Sequence, residues 1–221
     1  MIMKPLRYII GLLSFVLVGT IISCSEVEEE SVYDHWQAYN EDYCDSLLNA
    51  AGSHLFSTPD DTARVDAMPI GQLFGIQTRR SSTTYKHYVF CKKLTATEGA
   101  HPLYTDKVSA YYCGSYLTGD VFDSNFSGYV ATDTNLEGHS KLPQVYDTPS
   151  TFTIKPTVTS TGTSGLVEGW IAALQYMREG ERWMLYVPYQ SGYGAKPDAT
   201  RITVPGYSTL IFDIILSEIV D

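Results

Sequence analysis

The chain of 221 residues is poor in basic residues and in cysteine, and each scarcity excludes a class of function. Its 15 lysines and arginines stand against 25 aspartates and glutamates, which gives a formal net charge of −10 at pH 7. Nucleic-acid binding needs a basic surface to neutralise phosphates, so this balance argues against a nucleic-acid partner. The four cysteines form no Cys-x-x-Cys pair and the five histidines are scattered singly, so we expect no metal site.

The N-terminal segment is typical of an export signal. Lys4 and Arg7 precede an uncharged apolar run over residues 8–22, which is too short to favour a spanning helix. Residues 21–24 resemble the lipobox of bacterial lipoproteins, in which the cysteine becomes the lipidated first residue. The resemblance implies that residues 1–23 are a signal peptide and that acyl chains on Cys24 anchor the protein to a membrane. An uncleaved anchor with an incidental cysteine is the alternative.

Residues 24–31 are predicted to be an acidic tether. A block of like charge this dense is normally solvated and disordered. It also resembles the surface-export signal of some Gram-negative lipoproteins, so we expect an outer-membrane lipoprotein that faces the periplasm or the cell surface. Removing residues 1–23 deletes two of the 15 basic residues and no acidic one. The remaining 13 basic and 25 acidic residues, a charge of −12, argue against electrostatic adhesion to anionic lipid.

Three cysteines remain after Cys24, so a monomer can form at most one disulfide. We favour unpaired buried thiols; if a disulfide forms, Cys91 and Cys113, which lie in strand-like segments, are the more plausible pair. Cys44 lies in a predicted helix.

Residues 32–104 are predicted to be an N-terminal extension made of a helix, a linker and strands. The helix is expected from Val32 to about Ala51, and five residues share one of its faces: Trp36, Tyr39, Tyr43, Leu47 and Ala50. We favour packing of this face within the same molecule over a dimer or partner surface. Residues 53–67 have the composition of a linker, and short strands are expected at 72–77 and 85–94.

Residues 105–221 are predicted to form an α+β domain. Strand patterns at 107–117, 151–157, 182–188 and 207–219 surround one short amphipathic helix within residues 165–180. Residues 122–149 and 190–206 are expected to be loops because they are rich in Gly, Pro, Asn and Asp.

Four sequence blocks in this half of the chain closely resemble the FKBP-type peptidyl-prolyl cis-trans isomerases. They are a Tyr-x-Gly at 112–114 with a Gly-x-x-Phe-Asp-Ser at 119–124, a Gly-Trp helix entry at 166–170, residues 187–195, and residues 204–213. They follow the family's order at near-family spacing. The resemblance implies an FKBP-like fold, in which an antiparallel sheet wraps around one short helix.

The resemblance also implies catalysis of the rotation of peptide bonds that precede proline. The barrier arises because twisting the amide removes its resonance, and a dry aromatic pocket solvates the polar planar form less well than water does. Such chemistry needs no cofactor. The implied partners are proline-containing polypeptides and ligands of the macrolide immunosuppressant type, bound by a monomer or weak dimer.

Matching the motifs residue by residue gives the expected pocket: Tyr112, Phe122, Asp123, Leu166, Val167, Trp170, Tyr193 and Phe212. The match implies that Trp170 forms the floor and that Tyr112, Phe122 and Phe212 form the walls. The Val167 N–H and the Tyr193 hydroxyl are expected to hold substrate carbonyls. Asp123 is expected to make polar contacts at the pocket edge and to transfer no proton.

One position departs from the family pattern. Ser150 stands where the family usually has an aromatic residue, two positions before Phe152. Either one pocket wall is thinner, or the long loop at 125–149 supplies Tyr129 or Tyr146 in its place. We expect altered substrate choice rather than lost activity.

Three functions therefore compete. The first is a catalytic isomerase that assists the folding of exported proteins. The second is a slow or non-catalytic chaperone or binding module of a surface lipoprotein complex. The third is a scaffold in such a complex, contacted through the helix at residues 36–43.

Overall fold

The computed structural model describes residues 31, 33–57, 59–78, 88–126, 143–159, 162–196 and 204–220. Cys24, the predicted signal peptide and most of the predicted tether lie outside the described residues, as does Tyr129. Within the described ranges, no helix combines the length and apolar character needed to cross a membrane.

The described chain contains three α-helices, ten strands and two short 3-10 turns. The helices are α1 (Trp36–Ala51), α2 (Thr62–Asp66) and α3 (Glu168–Leu174), and the 3-10 turns are Pro59–Asp61 and Tyr189–Ser191. The strands are β1 (Leu55–Phe56), β2 (Leu73–Gln77), β3 (Tyr88–Lys93), β4 (Lys107–Ser115), β5 (Val121–Ser124), β6 (Ser150–Thr153), β7 (Thr157–Thr159), β8 (Gly162–Ser164), β9 (Arg182–Val187) and β10 (Leu210–Val220).

Eight strands form one sheet in the order β1-β2-β3-β9-β10-β4-β5, with β6 also paired to β4. Only the β1–β2 pair in this sheet is parallel. The strands β9 and β10 lie at its centre, and every residue of β9 is buried. The expected α+β fold, an antiparallel sheet with one short helix packed on it, is confirmed.

Helix α3 packs very closely on the sheet. A Cβ added at Gly169 would lie 2.6 Å from Val187 Cγ1, so the absence of a side chain at this position lets the helix approach β9. Six of the seven helix residues, from Gly169 to Leu174, are buried. The glycine before the tryptophan in the helix-entry motif is therefore required for packing, because it lets the helix that carries Trp170 lie close to β9.

The predicted extension belongs to the same packing unit as the rest of the chain. Strand β3 pairs with β9, and residues 35–221 form one compact unit. The expected boundary between residues 104 and 105 thus marks where the family-like blocks begin, rather than a break in packing. The linker prediction for residues 53–67 was wrong, because Phe56 and Val65 are buried and lie in short elements that have no readable periodicity.

Helix α1 begins at Trp36, four residues later than expected, and ends at Ala51 before Gly52 with φ 56°. It packs within the same molecule, as favoured, but its buried face is rotated from the predicted stripe. Asn40 and Ala51 are buried, whereas Tyr39 is 50% exposed and Ala50 is exposed. A polar residue takes the inner position because its amide is bonded at both ends within the fold.

The cysteines Cys44, Cys91 and Cys113 are free thiols. Strands β9 and β10 lie between β3, which carries Cys91, and β4, which carries Cys113. Three strand spacings separate their backbones by about 14 Å, beyond the reach of a disulfide. The candidate Cys91–Cys113 disulfide is therefore excluded, and the favoured expectation of unpaired buried thiols is confirmed.

Candidate functional site

An aromatic cluster surrounds Trp170 on helix α3. Its indole ring meets the rings of Tyr112, Phe152 and Phe212 at centroid distances of 5.4, 5.4 and 5.2 Å, all edge to face. Phe122 extends the cluster, with its ring 5.6 Å from that of Phe212. Perpendicular rings of this kind pack favourably because the positive edge of one faces the negative face of another.

Val167 is the N-cap of helix α3, and this start of the helix places Trp170 in the cluster. The Val167 backbone is extended (φ −65°, ψ 150°), and its carbonyl accepts the N–H groups of Trp170 (3.0 Å) and Ile171 (3.2 Å). The N–H groups at a helix start have no partner within the helix, so the Val167 N–H is available in principle to a bound carbonyl. Leu166 and Val167 are half-buried and pack against the core beside the cluster.

Trp170 is 3% exposed, yet its Nε1 has no hydrogen-bond partner among the described residues. A buried indole N–H normally finds an acceptor, and leaving it unpaired costs free energy. The Trp170 side chain therefore combines an apolar ring surface with one unsatisfied donor.

Gly114 makes room for two of the rings. A Cβ at this position would lie 2.6 Å from Phe122 Cζ and 2.8 Å from Phe212 Cε1. The glycine of the Tyr-x-Gly motif on β4 thus allows a ring from β5 and a ring from β10 to meet over the same backbone position.

The Tyr112 hydroxyl donates a hydrogen bond of 2.7 Å to Asp123 Oδ2 at the edge of the cluster. Burial raises the pKa of the Tyr112 phenol well above its ordinary value, and the bond to Asp123 and the negative charge of that group raise it further. Electrostatic repulsion from the Tyr193 phenol adds a smaller contribution to the raised pKa of Tyr112. Tyr193 follows the 3-10 turn Tyr189–Ser191 and is 40% exposed.

Ser150 lies on β6 and does not contribute a ring. Its Oγ accepts a hydrogen bond of 3.0 Å from Asn125 Nδ2, which also donates to the Ala110 carbonyl at 2.9 Å. Asn125 Oδ1 in turn accepts the Tyr112 N–H at 2.7 Å. A small hydroxyl at this position therefore joins a polar network that fastens the chain after β5 to β4. Tyr146, the described candidate for a replacement ring, is 72% exposed.

Two aromatic residues of the cluster were absent from the predicted site. Phe152 contacts both Tyr112 (5.8 Å) and Trp170 (5.4 Å), and Tyr116 lies 5.0 Å from Phe122. Phe152 could have been found from strand alternation, because it is two positions after Ser150 on the same face of β6. All eight predicted pocket residues lie in described segments, and Tyr112, Phe122, Trp170 and Phe212 meet in one continuous cluster.

The cluster offers shape and dryness rather than acid, base or metal chemistry. Within the described ranges, no group of three or more His, Cys, Asp or Glu side chains is arranged to hold a metal ion. Its polar groups are the Tyr112 hydroxyl with Asp123 and the Trp170 N–H, and the Val167 N–H lies at the start of the helix that carries Trp170. Such a site can bind an apolar ring on its floor and orient neighbouring carbonyl groups at its edge.

Comparison with known proteins gives consistent matches. Residues 99–217 match the family model described as FKBP-type peptidyl-prolyl cis-trans isomerase. The FKBP-type 22 kDa peptidyl-prolyl cis-trans isomerase of Escherichia coli strain K12 is 31% identical over 122 residues, which cover 55% of this chain and 45% of that protein. The macrophage infectivity potentiator of Trypanosoma cruzi is 33% identical over 120 residues, covering 54% and 46%.

A third relative, outer membrane protein MIP of Legionella longbeachae, is 30% identical over 128 residues, which cover 58% of this chain and 42% of that protein. The chain thus spans somewhat less than half the length of these three relatives.

Proposed function

Because the chain belongs to the FKBP-type peptidyl-prolyl cis-trans isomerase family, we propose that it catalyses the cis–trans rotation of peptide bonds before proline in polypeptides. The observation that carries the proposal is the aromatic cluster around Trp170, in which three rings meet the indole edge to face within 5.4 Å. Under this proposal, the apolar rings of the cluster form the dry surface that receives the proline ring.

The proposed mechanism is differential binding of a twisted amide. The planar prolyl amide is polar because its resonance separates charge, and the barrier to rotation is about 20 kcal/mol. A pocket of apolar rings replaces the water that stabilises the planar form, while its shape accepts the twisted form. No proton moves in this reaction, so the raised pKa of Tyr112, which keeps its hydroxyl a donor, suits a binding role.

We propose roles for the residues from the match of their motifs to the family. Trp170 supports the proline ring, while Tyr112, Phe122 and Phe212 enclose it and Leu166 contacts the flanking chain. The Val167 N–H and the Tyr193 hydroxyl bind substrate carbonyl groups. Asp123 holds the Tyr112 hydroxyl. Ligands of the macrolide immunosuppressant type are proposed to bind the same surface.

The activity is tested by following isomerisation of a short peptide with one X-Pro bond, at micromolar concentrations of the chain. We expect catalysis by the wild type and a reduced kcat/KM in Phe122→Ala and Asp123→Ala. Ile70→Ala is the control, because it removes an exposed apolar side chain that lies outside both the cluster and α1. Absence of any rate gain with the wild type would overturn the proposal.

The proposed role is to assist the folding of exported proteins from an outer-membrane lipid anchor at Cys24. The export signal, the lipobox-like residues 21–24 and the relative named as an outer membrane protein support this location. Under this proposal, residues 24–31 are the tether, residues 32–104 are the extension, and residues 105–221 are the isomerase domain of a monomer or weak dimer. Cys24→Ala should release the protein from the membrane fraction, whereas Cys44→Ala should not, and equal fractionation of both variants would contradict the anchor.

A slow chaperone or binding module is the second candidate function. The exposed apolar side chains beside the cluster favour it, since Val121 and Tyr193 are each 40% exposed. If Phe122→Ala abolishes isomerisation but still suppresses aggregation of an unfolded client, the binding function stands by itself. If both effects are lost together, the catalytic function accounts for them.

A further inference from the structure

Helix α1 is hydrogen-bonded to the segment that leads into β10. Trp36 Nε1 donates to Ser208 Oγ at 3.0 Å, and Ser208 Oγ donates to the Pro205 carbonyl at 2.7 Å. Asn40 Oδ1 accepts the Thr209 N–H at 2.6 Å. Asn40 is fully buried, and its Nδ2 donates to the Trp36 carbonyl at 2.8 Å, so its amide is fixed at both ends.

A second set of contacts holds the turn that precedes Tyr193. Tyr189 donates its hydroxyl to Glu41 Oε1 at 3.2 Å. The hydroxyl groups of Thr78 and Ser191 are bonded at 3.0 Å, and both residues are buried. We call residues 189–194 and 205–209 the rim segments, because the first contains Tyr193 and the second leads to Phe212. The side chains of α1 and of Thr78, the residue after β2, that hold them precede residue 99, where the family match begins.

The two rim segments are also joined to each other. The Tyr207 N–H donates to the Gly194 carbonyl at 3.1 Å, and the rings of Tyr189 and Tyr207 meet edge to face at 5.0 Å. Among the described residues, Tyr207 alone has a positive φ without being glycine, at 63°. A bulky residue persists in this strained conformation only where its surroundings fix it, and such positions cluster at functional sites.

We propose that α1 is a positioning element for substrate binding, with Asn40 and Trp36 as its positioning residues. They fix the segment at 205–209, and Tyr207 passes that constraint to the turn that carries Tyr193. The Tyr193 hydroxyl and the Phe212 ring thereby keep their places relative to Trp170. The inference rests on the proposed isomerase function, and it extends the functional unit beyond residues 99–217 to include α1.

Asn40→Ala tests this directly, because it leaves the Thr209 N–H buried without an acceptor. We expect kcat/KM to fall about three- to tenfold, mainly through a higher KM, since a small displacement of a binding group is costly. We also expect faster amide hydrogen exchange at Gly194 and Tyr207. Trp36→Phe, which keeps a ring and removes only the Nε1 donor, serves if Asn40→Ala fails to fold.

Asp66→Asn is the matched control. It weakens another contact between the extension and the family-like half, the bond from Arg178 Nη2 at 2.6 Å, which involves neither rim segment. If KM rises and exchange protection is lost to the same extent in both variants, or if neither change occurs in either variant, the proposal is overturned. The exchange readout decides the positioning even if the wild type shows no catalysis, so failure of the proposed function and failure of this inference are distinguishable.

Discussion

Tyr112 and Asp123 are joined across two adjacent strands by a hydrogen bond of 2.7 Å at the edge of the aromatic cluster. Tyr112 lies on β4 and Asp123 on β5, and Gly114 pairs with Asp123 in the register of these strands. The bond therefore fixes the hydroxyl of one cluster residue against the strand that carries another, Phe122. It links a polar contact at the surface to the shape of the apolar site.

Tyr112→Phe should weaken both binding and stability by removing only that hydroxyl. We expect the free energy of unfolding to fall by about 1 kcal/mol, because a single hydrogen bond between half-buried groups is lost. Urea denaturation measures this loss, and the peptide assay should show a reduced kcat/KM. In a double-mutant cycle with Asp123→Ala, the two losses should not add, and full additivity would show that the bond contributes nothing.

Gly114→Ala should disturb the cluster by overpacking. The new Cβ would lie under 3 Å from carbons of Phe122 and Phe212, so both rings must move. We expect a loss of about 1–3 kcal/mol in unfolding free energy, together with a marked fall in kcat/KM.

The control for this substitution is Gly75→Ala on β2. Its Cβ would meet the flexible end of the Leu55 side chain at 2.8 Å, away from the cluster. It should cost some stability and leave kcat/KM unchanged. Equal activity in the two variants would indicate that the rings near Gly114 are not part of the binding site.

The catalysed rate should be independent of pH from about 6 to 9, because the raised pKa of Tyr112 keeps its hydroxyl protonated beyond that range. The raised pKa of Tyr112 also determines how its contribution to folding stability depends on pH. The folded-state pKa exceeds the unfolded value of about 10, so the contribution of the neutral phenol is complete below that value and is lost as pH rises through the folded-state pKa. A rate profile with an inflection inside the flat range would instead assign proton transfer to a pocket residue. A peptide without titratable side chains removes the substrate's own contribution.

Asp66→Asn should destabilise the protein at neutral pH and lose its effect in acid. Burial alone would raise the pKa of Asp66, but hydrogen bonds from Arg178 and His101 outweigh it and hold the pKa below its usual value. The charged carboxylate therefore contributes stability above its unfolded pKa of about 4, and this contribution is lost as pH falls through the lowered folded-state value. Urea midpoints of wild type and variant should converge below about pH 4. If the difference between the two urea midpoints stays constant below about pH 4, the ionisation of Asp66 does not contribute to stability in this way.

The sequence predicted the parts of the fold that depend on local pattern. The helix that carries Trp170 and the strands that carry Tyr112 and Phe212 follow from apolar periodicity, and the order of the motifs indicates the family. Those signals are short in range, because each comes from a few neighbouring residues. They locate the aromatic cluster, whose roles in catalysis remain predictions.

Long-range contacts could not be predicted from the sequence. The polarity of Asn40 would assign it to the solvent face of α1. In the structure its side-chain oxygen is buried and accepts a hydrogen bond from a backbone N–H 169 positions away. Ser150 suggested a missing wall, whereas its hydroxyl belongs to a network around Asn125. Neither hydrogen-bond partner can be identified from the sequence, because each becomes a neighbour only when the strands are placed beside one another.

The strand order has a consequence for how the chain acquires its structure. Strands β9 and β10 lie between β3 and β4, although they come later in the chain than both. Neither β3 nor β4 has its central neighbour until residues 182–220 have been synthesised, and contacts this distant in sequence form slowly. While the chain is being made, the β2–β3 pair and the group of β4, β5 and β6 therefore stay separate until β9 and β10 join them. A protein proposed to help others fold thus depends itself on its last strands.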